Sequence, residues 1–327
     1  MALRIIDTPH FQRLHYIRQT GFAYKVFPSA TTSRFEHSIG VYHTTRLFMD
    51  RFRLVQPEVV PDKRTQELVC IAGLVHDLGH GPFSHLFDSL LETILPTHHP
   101  WIHHEHRGMD VLVDLVTYLE HKEGISILTH QEIEMIRRWI CGPPRESDAW
   151  YERLVWNHSS GLDTDKFDYI LRDGLHFGIM GTRFDFHRIL KNTRVLQNKL
   201  SFCNRVRDEI RLLFDIRERM HKTIYRHPKI QYFEDHLLSL LSSTTDVCED
   251  IKTMCLQKNI VSYLRLNDSS ILSRVSHHKW DDVETRRAPP LLCDHPPYHN
   301  RQTWENAEQH LSFYQRSEIR QEEELKT

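Results

Sequence analysis

The stretch HDLGHGPFSH at positions 76–85 is the most informative part of the sequence, because it places three histidines and one aspartate within ten residues. Apolar residues ahead of it recur with i, i+3, i+4, i+7 spacing and predict a helix over 65–78. The GHGP segment permits a chain reversal and cannot continue that helix. His76 and Asp77 are therefore predicted in the last helical turn, with the other two histidines on the irregular segment after it.

This helix end is a candidate metal site. Adjacent His and Asp side chains point about 100° apart on a helix, so both can bind one ion only when other segments supply further ligands. His37, in RFEHSIG, and Asp165, in GLDTDKFDYI, are the candidate donors. Two imidazoles and two carboxylates suit Fe, Mn, Zn, Ni or Mg better than a metal that prefers thiolates. The alternative is that each histidine is an ordinary surface or core residue.

The composition is that of a globular protein, with 39% hydrophobic and 26% charged residues in a chain of 327. The formal net charge of −2 excludes an electrostatic nucleic-acid binder as a description of the whole chain. The six cysteines form no C-x-x-C pair and are typical of reduced thiols in an intracellular protein. No apolar run approaches the ~20 residues of a membrane span. We therefore expect a soluble chain without a membrane partner, in the nucleus or cytoplasm.

Helical periodicity dominates the sequence, and the expected fold class is all-α with at most a short β-hairpin. That hairpin is predicted near 193–203, where an Asn-Lys turn separates apolar flanks. Residues 1–276 are interpreted as one domain and 277–327 as a polar, proline-containing, poorly ordered tail. The alternative for the tail is a short helix over 304–320. Besides 65–78, the predicted helices cover 35–53, 106–120, 130–140, 162–175, 206–226 and 232–248.

The pattern H…HD…D and the segments around it resemble the HD-domain phosphohydrolases. The segments are DTPHFQRLHYIRQTGFAYKVFP, SRFEHSIGVYH, IAGLVHDLGHGPFSHLFD and GLDTDKFDYILRDGLHFGI. Within that family they resemble the deoxynucleoside triphosphate triphosphohydrolases that carry a sterile-alpha-motif domain ahead of the HD domain. The resemblance runs from Ile5 to Lys229, is strongest up to Ile179, and implies the HD-domain helical fold. We expect a chain without the sterile-alpha-motif region and without the family's C-terminal lobe.

The resemblance also implies roles for individual residues, which fall into metal ligands, catalytic groups and contacts to the nucleotide. The metal would be Fe, Zn, Mn or Ni, with Mg accompanying the nucleotide. The residues implied are His37, His76, Asp77 and Asp165 for the metal, His80, His85, Asp88 and His104 for catalysis, Arg34, Lys166, Tyr169 and Arg217 for the triphosphate, Gln19 and Asp173 for the sugar 3′-hydroxyl, and Tyr225 where a 2′-hydroxyl would sit.

The residue types agree with hydrolysis of a dNTP to a deoxynucleoside and inorganic triphosphate. Charge develops on non-bridging oxygens, which a metal and the cations among the triphosphate contacts can neutralise. The leaving 5′-oxygen needs a proton, and our hypothesis is that His85 supplies it, with Asp88 and His104 orienting its ring. The aromatic ring of Tyr225 against C2′ would exclude ribonucleotides. The alternative for Tyr225 is an ordinary core aromatic on a helix face.

The resemblance extends to regulation, where the sequence departs from the family. The family enzyme assembles as a nucleotide-bridged oligomer, so a dimer or tetramer with GTP or a dNTP as activator is an expectation here. His15, Thr20 and Arg226 replace an arginine, a leucine and a glutamine of the family, and GIMGTRFD carries one extra residue. The residues that match the two activator sites are Asp7, Gln12, Arg188 and Arg205.

Two other functions remain open at this stage. One keeps the metal site but changes the substrate to another nucleotide phosphoester. The other is a catalytically weak regulator that binds nucleotides or single-stranded nucleic acid. Residues 183–229 favour the nucleic-acid ligand, since they carry 13 Lys and Arg against 5 Asp and Glu with interleaved aromatics. The alternative for this stretch is the solvated face of two helices.

Overall fold

The computed structural model describes residues 1–178, 184–275, 277–288 and 303–315, and the predicted mainly helical fold is confirmed there. A π-helical turn covers His221–Tyr225. The helices are α1 Ala2–Ile6, α2 Pro9–Gln12, α3 Arg34–Val55, α4 Lys63–Val75, α5 His85–Ile94, α6 His104–Glu123, α7 His130–Cys141, α8 Thr164–His176, α9 Phe186–Lys191, α10 Arg207–Met220, α11 Pro228–Ser242, α12 Thr245–Leu256, α13 Ile260–Tyr263, α14 Asp268–Leu272, α15 His277–Glu284 and α16 Trp304–Glu308.

The chain forms two compact units. The first comprises the described residues of Met1–Ile39, Leu74–Cys141 and His221–Pro297, and the second those of Gly40–Gly73, Gly142–Met220 and Tyr298–Thr327. The first unit contains the helices around the stretch 76–85, namely α5, α6 and α7, together with α11 to α15. The second contains α8, α9 and α10 and a small sheet.

The sheet has three strands, one more than predicted. Strands β1 (Thr193–Leu196) and β2 (Lys199–Cys203) form the expected antiparallel hairpin. Its turn is Gln197-Asn198 rather than Asn-Lys, because these two residues take the positive φ values, 49° and 58°, that a two-residue hairpin turn requires. The third strand, β3 (Ser312–Tyr314), pairs in parallel with β2 and places Ser201 opposite Ser312.

Helix ends differ from the prediction at two places. Helix α4 ends at Val75, so His76 and Asp77 lie on the turn after it and not in its last helical turn. The helix predicted over 232–248 is two helices, α11 and α12, interrupted at Ser243-Thr244. Both hydroxyls of that pair donate to the carbonyl of Leu240, a local alternative to helical backbone bonding that serine and threonine favour.

Parts of the predicted tail over 277–327 are structured. Residues 277–288 include α15, with Trp280 and Val283 buried, and residues 303–315 include α16 and β3. Of the predicted alternative, a helix over 304–320, the described residues 304–315 are helical at Trp304–Glu308. The rest of 289–327 lies outside the described residues, and the boundary at 276 stays a prediction. Among the described helices, none combines the length and apolar character that crossing a bilayer requires.

The core of the second unit is aromatic. Phe48 packs at 5.9 Å from Phe167, and Phe52 packs edge-to-face on Trp150 at 4.9 Å between ring centroids. Phe167 is a residue of α8, so this cluster fixes that helix. The N-terminus of α8 is capped by Asp163, whose carboxylate accepts the backbone N–H of Lys166 at 3.0 Å.

Buried arginines hold the turn that follows α4 in the first unit. Three successive carbonyl oxygens, at 78–80, lie in the interior and need donors. Arg13 donates to the first and third, while Arg107 and the hydroxyl of Tyr263 donate to the middle one at 3.0 Å and 2.6 Å. Arg107 is fully buried and also donates to the carboxylate of Asp88. These contacts fix the backbone of the turn against three distant segments of chain.

Arg107→Met is expected to lower the free energy of unfolding by about 3–5 kcal/mol, because it leaves the Asp88 carboxylate without its cation and removes the donor to three carbonyl oxygens. Arg274→Met is the matched control. Its partner Asp250 is exposed, so a change within about 0.5 kcal/mol is expected. Urea unfolding of both variants measures the difference, and equal midpoints would contradict the role assigned to Arg107.

Candidate active site

The stretch 76–85 and the start of α3 bring a nitrogen and oxygen donor set together in the first unit. His37 and His76 meet edge-to-face with ring centroids 5.2 Å apart. The carboxylate of Asp77 lies beside both, at 3.6 Å from His37 Nε2 and 3.4 Å from His76 Nε2. His37 and Asp77 are buried and His76 nearly so. These three predicted ligands therefore lie close together on two segments that are far apart in sequence.

The Asp77 carboxylate is held ionised. Burial raises its pKa, but the charge of Arg34, together with the neighbouring rings of His76 and His80, outweighs burial and brings the pKa well below its ordinary value. Arg34 Nη1 donates to Asp77 Oδ2 at 2.7 Å in a pair that is almost fully buried. A carboxylate that stays charged in the interior can bind a cation without first losing a proton.

Arg34 joins the donor set to neighbouring segments. Its Nε donates to Ser84 Oγ at 2.8 Å, and its Nη2 donates to the carbonyl of Gln19 at 3.2 Å. Gln19 is itself buried, and its side-chain Oε1 has no hydrogen-bond partner among the residues that the structure describes. Gln19 thus presents an acceptor from a segment that Arg34 fixes.

A second cluster, His80, His85, Asp88 and His104, adjoins the first. Asp88 Oδ2 lies 3.0 Å from His104 Nδ1 and 3.4 Å from His85 Nδ1, and its other oxygen takes the guanidinium of Arg107. Burial raises the pKa of Asp88, yet its hydrogen bonds with the two histidines and the charge of Arg107 bring it well below the ordinary value. One ionised carboxylate therefore orients two imidazoles.

His80 and His85 occupy opposite extremes of exposure. His80 is fully buried, stacks on His104 with 3.8 Å between centroids, and lies 3.3 Å from the carboxylate of Asp77. Burial and the charges of Arg34 and His104 bring the pKa of His80 well below its ordinary value, so it is neutral at physiological pH. His85 has a side chain that is 73% exposed, which leaves it accessible to a ligand.

The glycine at position 79 allows the two clusters to adjoin. A Cβ at Gly79 would lie 1.9 Å from the carbonyl oxygen of His104 and 2.2 Å from the backbone nitrogen of Gly108. Only a residue without a side chain permits this approach of the turn to α6. The approach brings His104 over His80. Gly79, which the sequence predicts to help end the helix, therefore also determines packing.

The second unit collects the remaining predicted polar residues on α8 and α10. Asp165, Tyr169 and Asp173 follow at four-residue intervals and so share one face of α8. Tyr169 Oη accepts from Arg217 Nε at 2.7 Å. Burial and the charge of Asp165 raise the pKa of Tyr169, although Arg217 and Lys166 act in the opposite direction. The hydroxyl of Tyr169 is therefore neutral at physiological pH.

Lys166 is buried and pairs with Asp163, with 2.9 Å between Nζ and Oδ2. Burial lowers its pKa, but the charges of Asp163 and Asp165 outweigh that effect and raise it above the ordinary value. Lys166 is therefore a permanent cation within this unit. Its predicted contact with a triphosphate stays a prediction.

The other predicted residues make separate local contacts. Tyr225 is in the π-helical turn, half-buried and edge-to-face with His221 at 5.0 Å. Arg188 is exposed and pairs with Glu209 at 2.9 Å, so this candidate activator-site cation already has a carboxylate partner. Asp7 and Arg205 are exposed. Gln12 donates from its Nε2 to the carbonyl oxygen of Ile6 at 2.8 Å.

Sequence reasoning missed several residues that shape the site. Ser84 accepts a hydrogen bond from Arg34, and Arg107 pairs with Asp88. Asp163 both caps α8 and neutralises the charge of Lys166. Only Asp163 carried a local signal, since an aspartate directly before a helix-forming run is typical of an N-cap. The partners of Arg107 lie up to 28 residues away, so no local pattern could have indicated them.

Comparisons with known proteins agree with this geometry. The model of the HD domain matches residues 34–155, which include the first donor set and the cluster around Asp88. The chain is 33% identical over 283 residues to the deoxynucleoside triphosphate triphosphohydrolase SAMHD1 homolog of Dictyostelium discoideum, covering 86% of this chain and 53% of that protein.

Two further relatives extend the comparison. The deoxynucleoside triphosphate triphosphohydrolase SAMHD1 of Homo sapiens is 37% identical over 248 residues, or 69% of this chain and 39% of the relative. The putative HD domain-containing protein L394 of Acanthamoeba polyphaga mimivirus is 33% identical over 290 residues, or 84% of this chain and 61% of the relative. The chain spans about half the length of the relatives it matches. Residues 34–155 therefore match the HD domain, and the chain is similar, over most of its own length, to SAMHD1-type deoxynucleoside triphosphate triphosphohydrolases.

Proposed function

We propose that this protein hydrolyses dNTPs to deoxynucleoside and inorganic triphosphate with the help of a divalent metal. The observation that supports the proposal is the adjacency of two clusters within one unit. The donor set with Asp77 and the histidine cluster with Asp88 are joined by the 3.3 Å contact between Asp77 and His80. A site that binds a cation beside an oriented, exposed imidazole has the two functions that phosphoester cleavage needs.

The donors fit a divalent ion such as Fe, Zn, Mn or Ni. His37 and His76 offer ring nitrogens, and Asp77 offers an oxygen whose negative charge is maintained by Arg34. Asp165 is proposed as the fourth ligand on the resemblance of its sequence context alone. When bound, such an ion lowers the pKa of a water molecule and withdraws charge from a phosphate oxygen. Mg is proposed to accompany the nucleotide.

The protein supplies the proton for the leaving group. His85 is the accessible histidine, and a proton on one ring nitrogen can pass to the 5′-oxygen as the bond to the α-phosphorus breaks. Asp88 accepts the hydrogen of the opposite ring nitrogen, Nδ1, and so fixes the tautomer and stabilises the charged ring. His104 shares the same carboxylate oxygen and limits the rotation of Asp88.

The contacts to the nucleotide are proposed from the resemblance. Gln19 presents a buried amide oxygen that suits a hydroxyl donor, which supports its predicted contact with the sugar 3′-hydroxyl. Asp173 is proposed as the other contact to that hydroxyl, and Tyr225 as the ring that excludes a 2′-hydroxyl. The cations and hydroxyl proposed for the triphosphate are Arg34, Lys166, Tyr169 and Arg217.

Regulation and partners are proposed from the resemblance and from the charge of residues 183–229. A guanine nucleotide or a dNTP is proposed as activator through the four residues that match the family's activator sites, and a homodimer or homotetramer as the assembly. Single-stranded nucleic acid is a proposed further ligand of the basic stretch 183–229, and the nucleus or cytoplasm the proposed location. An activity assay with and without GTP, run alongside measurement of molar mass by light scattering, tests the first two.

The proposed reaction is tested by incubating the purified protein with dGTP and Mn²⁺ or Mg²⁺ and resolving the products. Deoxyguanosine and inorganic triphosphate are expected in equal amounts. The variant carrying His76→Ala and Asp77→Ala is expected to lose metal, by elemental analysis, and all turnover. Release of phosphate or pyrophosphate instead of triphosphate would identify a different phosphoester reaction and contradict the proposal.

His85→Asn is expected to lower kcat by about 10²–10⁴-fold, because the leaving oxygen would depart without a proton donor. The matched control is His121→Asn, an exposed histidine near the end of α6, which should leave kcat unchanged. A dNTP analogue with sulfur in place of the bridging 5′-oxygen has a better leaving group and should recover most of the loss. An equal loss with both substrates would show that His85 is not the acid.

A further inference from the structure

Asp268, at the start of α14, connects two separate segments of the first unit. Its Oδ2 accepts the backbone N–H of Arg18 at 3.0 Å, and its Oδ1 accepts the backbone N–H of Phe83 at 2.7 Å. The residue is 8% exposed. Burial raises its pKa to about 6, while the two backbone hydrogen bonds act in the opposite direction. The aspartate lies 185 residues from Phe83 and 250 from Arg18.

Ser84 closes these contacts into a ring. Its hydroxyl donates to the carbonyl of Arg18 at 2.6 Å and accepts from Arg34 Nε at 2.8 Å. The ring therefore runs from the Asp268 carboxylate through the backbone of 83–84 to Arg18 and back to the carboxylate. The ring contains two hydrogen bonds to Asp268 and one from Ser84 to Arg18, so the two segments are held at a fixed separation.

The backbone within this ring is strained. Phe83 and Ser84 have φ values of 57° and 59°, in the left-handed region that favours glycine. Two successive non-glycine residues persist there only when surrounding contacts determine their conformation. Asp268 supplies one such contact directly to Phe83. The residue that follows this strained pair is His85, and the residue that follows Arg18 is Gln19.

We propose that Asp268 is a positioning residue of the active site, which fixes the Phe83–Ser84 turn and the Arg18 backbone and thereby sets the positions of His85, Gln19 and Arg34. The proposal rests on the function proposed above, because His85 and Gln19 are assigned there to the leaving oxygen and the sugar. Asp268 lies outside the range 34–155 that the HD-domain model matches. The C-terminal part of the first unit thus determines the geometry of catalysis without contacting substrate.

A carboxylate suits this position because both partners are N–H donors. Asparagine has nearly the same shape but only one side-chain oxygen. In Asp268→Asn an NH₂ group, which cannot accept a hydrogen bond, therefore faces one of the two backbone N–H groups. The variant therefore breaks the ring at one point while retaining volume and fold. Asp250→Asn is the matched control, since Asp250 is an exposed residue of the same unit whose partner is Arg274.

The first measurement is steady-state kinetics with dGTP at a temperature where both variants are folded by circular dichroism and retain wild-type metal content. Asp268→Asn is expected to lower kcat/KM roughly ten- to hundred-fold, with a raised KM and a lowered kcat, since displacement of Gln19 and His85 affects both. Asp250→Asn should match the wild type. A merely structural role would reduce the active fraction, which lowers apparent kcat and leaves KM unchanged, and that result would overturn the proposal.

The second measurement does not depend on activity. Amide hydrogen exchange in peptides covering 15–22 and 80–87 should accelerate together in Asp268→Asn, with the rest of the first unit unchanged. Ser84→Ala should accelerate the same two peptides, and the double variant should add little to either single one. Faster exchange confined to α14, or spread over the whole unit, would overturn the proposal. Absence of wild-type hydrolysis would contradict the proposed function, and the exchange data would still decide whether Asp268 fixes the two segments.

Discussion

The buried carbonyl oxygens of residues 78–80 impose the constraint on which the first unit depends. They follow the end of α4 and have no helical partners, so donors must reach them from elsewhere. Arg13, Arg107 and Tyr263 supply those donors from three distant parts of the chain. Because each donor has its own fixed surroundings, the turn has one geometry. The donor set at one end of the turn and the histidine cluster at the other are both positioned by it.

The same electrostatic arrangement occurs twice around this turn. Asp77 is paired with buried Arg34 and faces histidines, and Asp88 is paired with buried Arg107 and faces other histidines. Burial raises the pKa of both carboxylates. The charge of Arg34 brings the pKa of Asp77 well below its ordinary value, and the hydrogen bonds with His104 and His85 together with the charge of Arg107 do the same for Asp88. The two carboxylates differ in what they serve. Asp77 is suited to binding a cation, and Asp88 orients the exposed imidazole of His85. In the proposed reaction, one carboxylate therefore helps to bind the metal and the other helps to position the proton donor.

Much of the fold and part of the site follow from local patterns in the sequence. Helical spacing indicated α3, α6, α7 and α8 to within a few residues, and the H…HD pattern identified donors that do lie together. Contacts made over long sequence distances were not predictable. Nothing near Asp268 indicates that it caps Phe83, and nothing near Ser312 indicates a strand beside Ser201. Such pairings depend on tertiary packing, which a periodic pattern does not encode.

The central claim, attack of water at the α-phosphorus, is tested most directly by a single-turnover reaction with dGTP in water enriched in ¹⁸O, with mass spectrometry of both products. One ¹⁸O is expected in the inorganic triphosphate and none in the deoxyguanosine, because the 5′-oxygen leaves with the sugar. Label in the 5′-hydroxyl of deoxyguanosine would show attack at carbon. That result would contradict the roles assigned to the donor set and to His85.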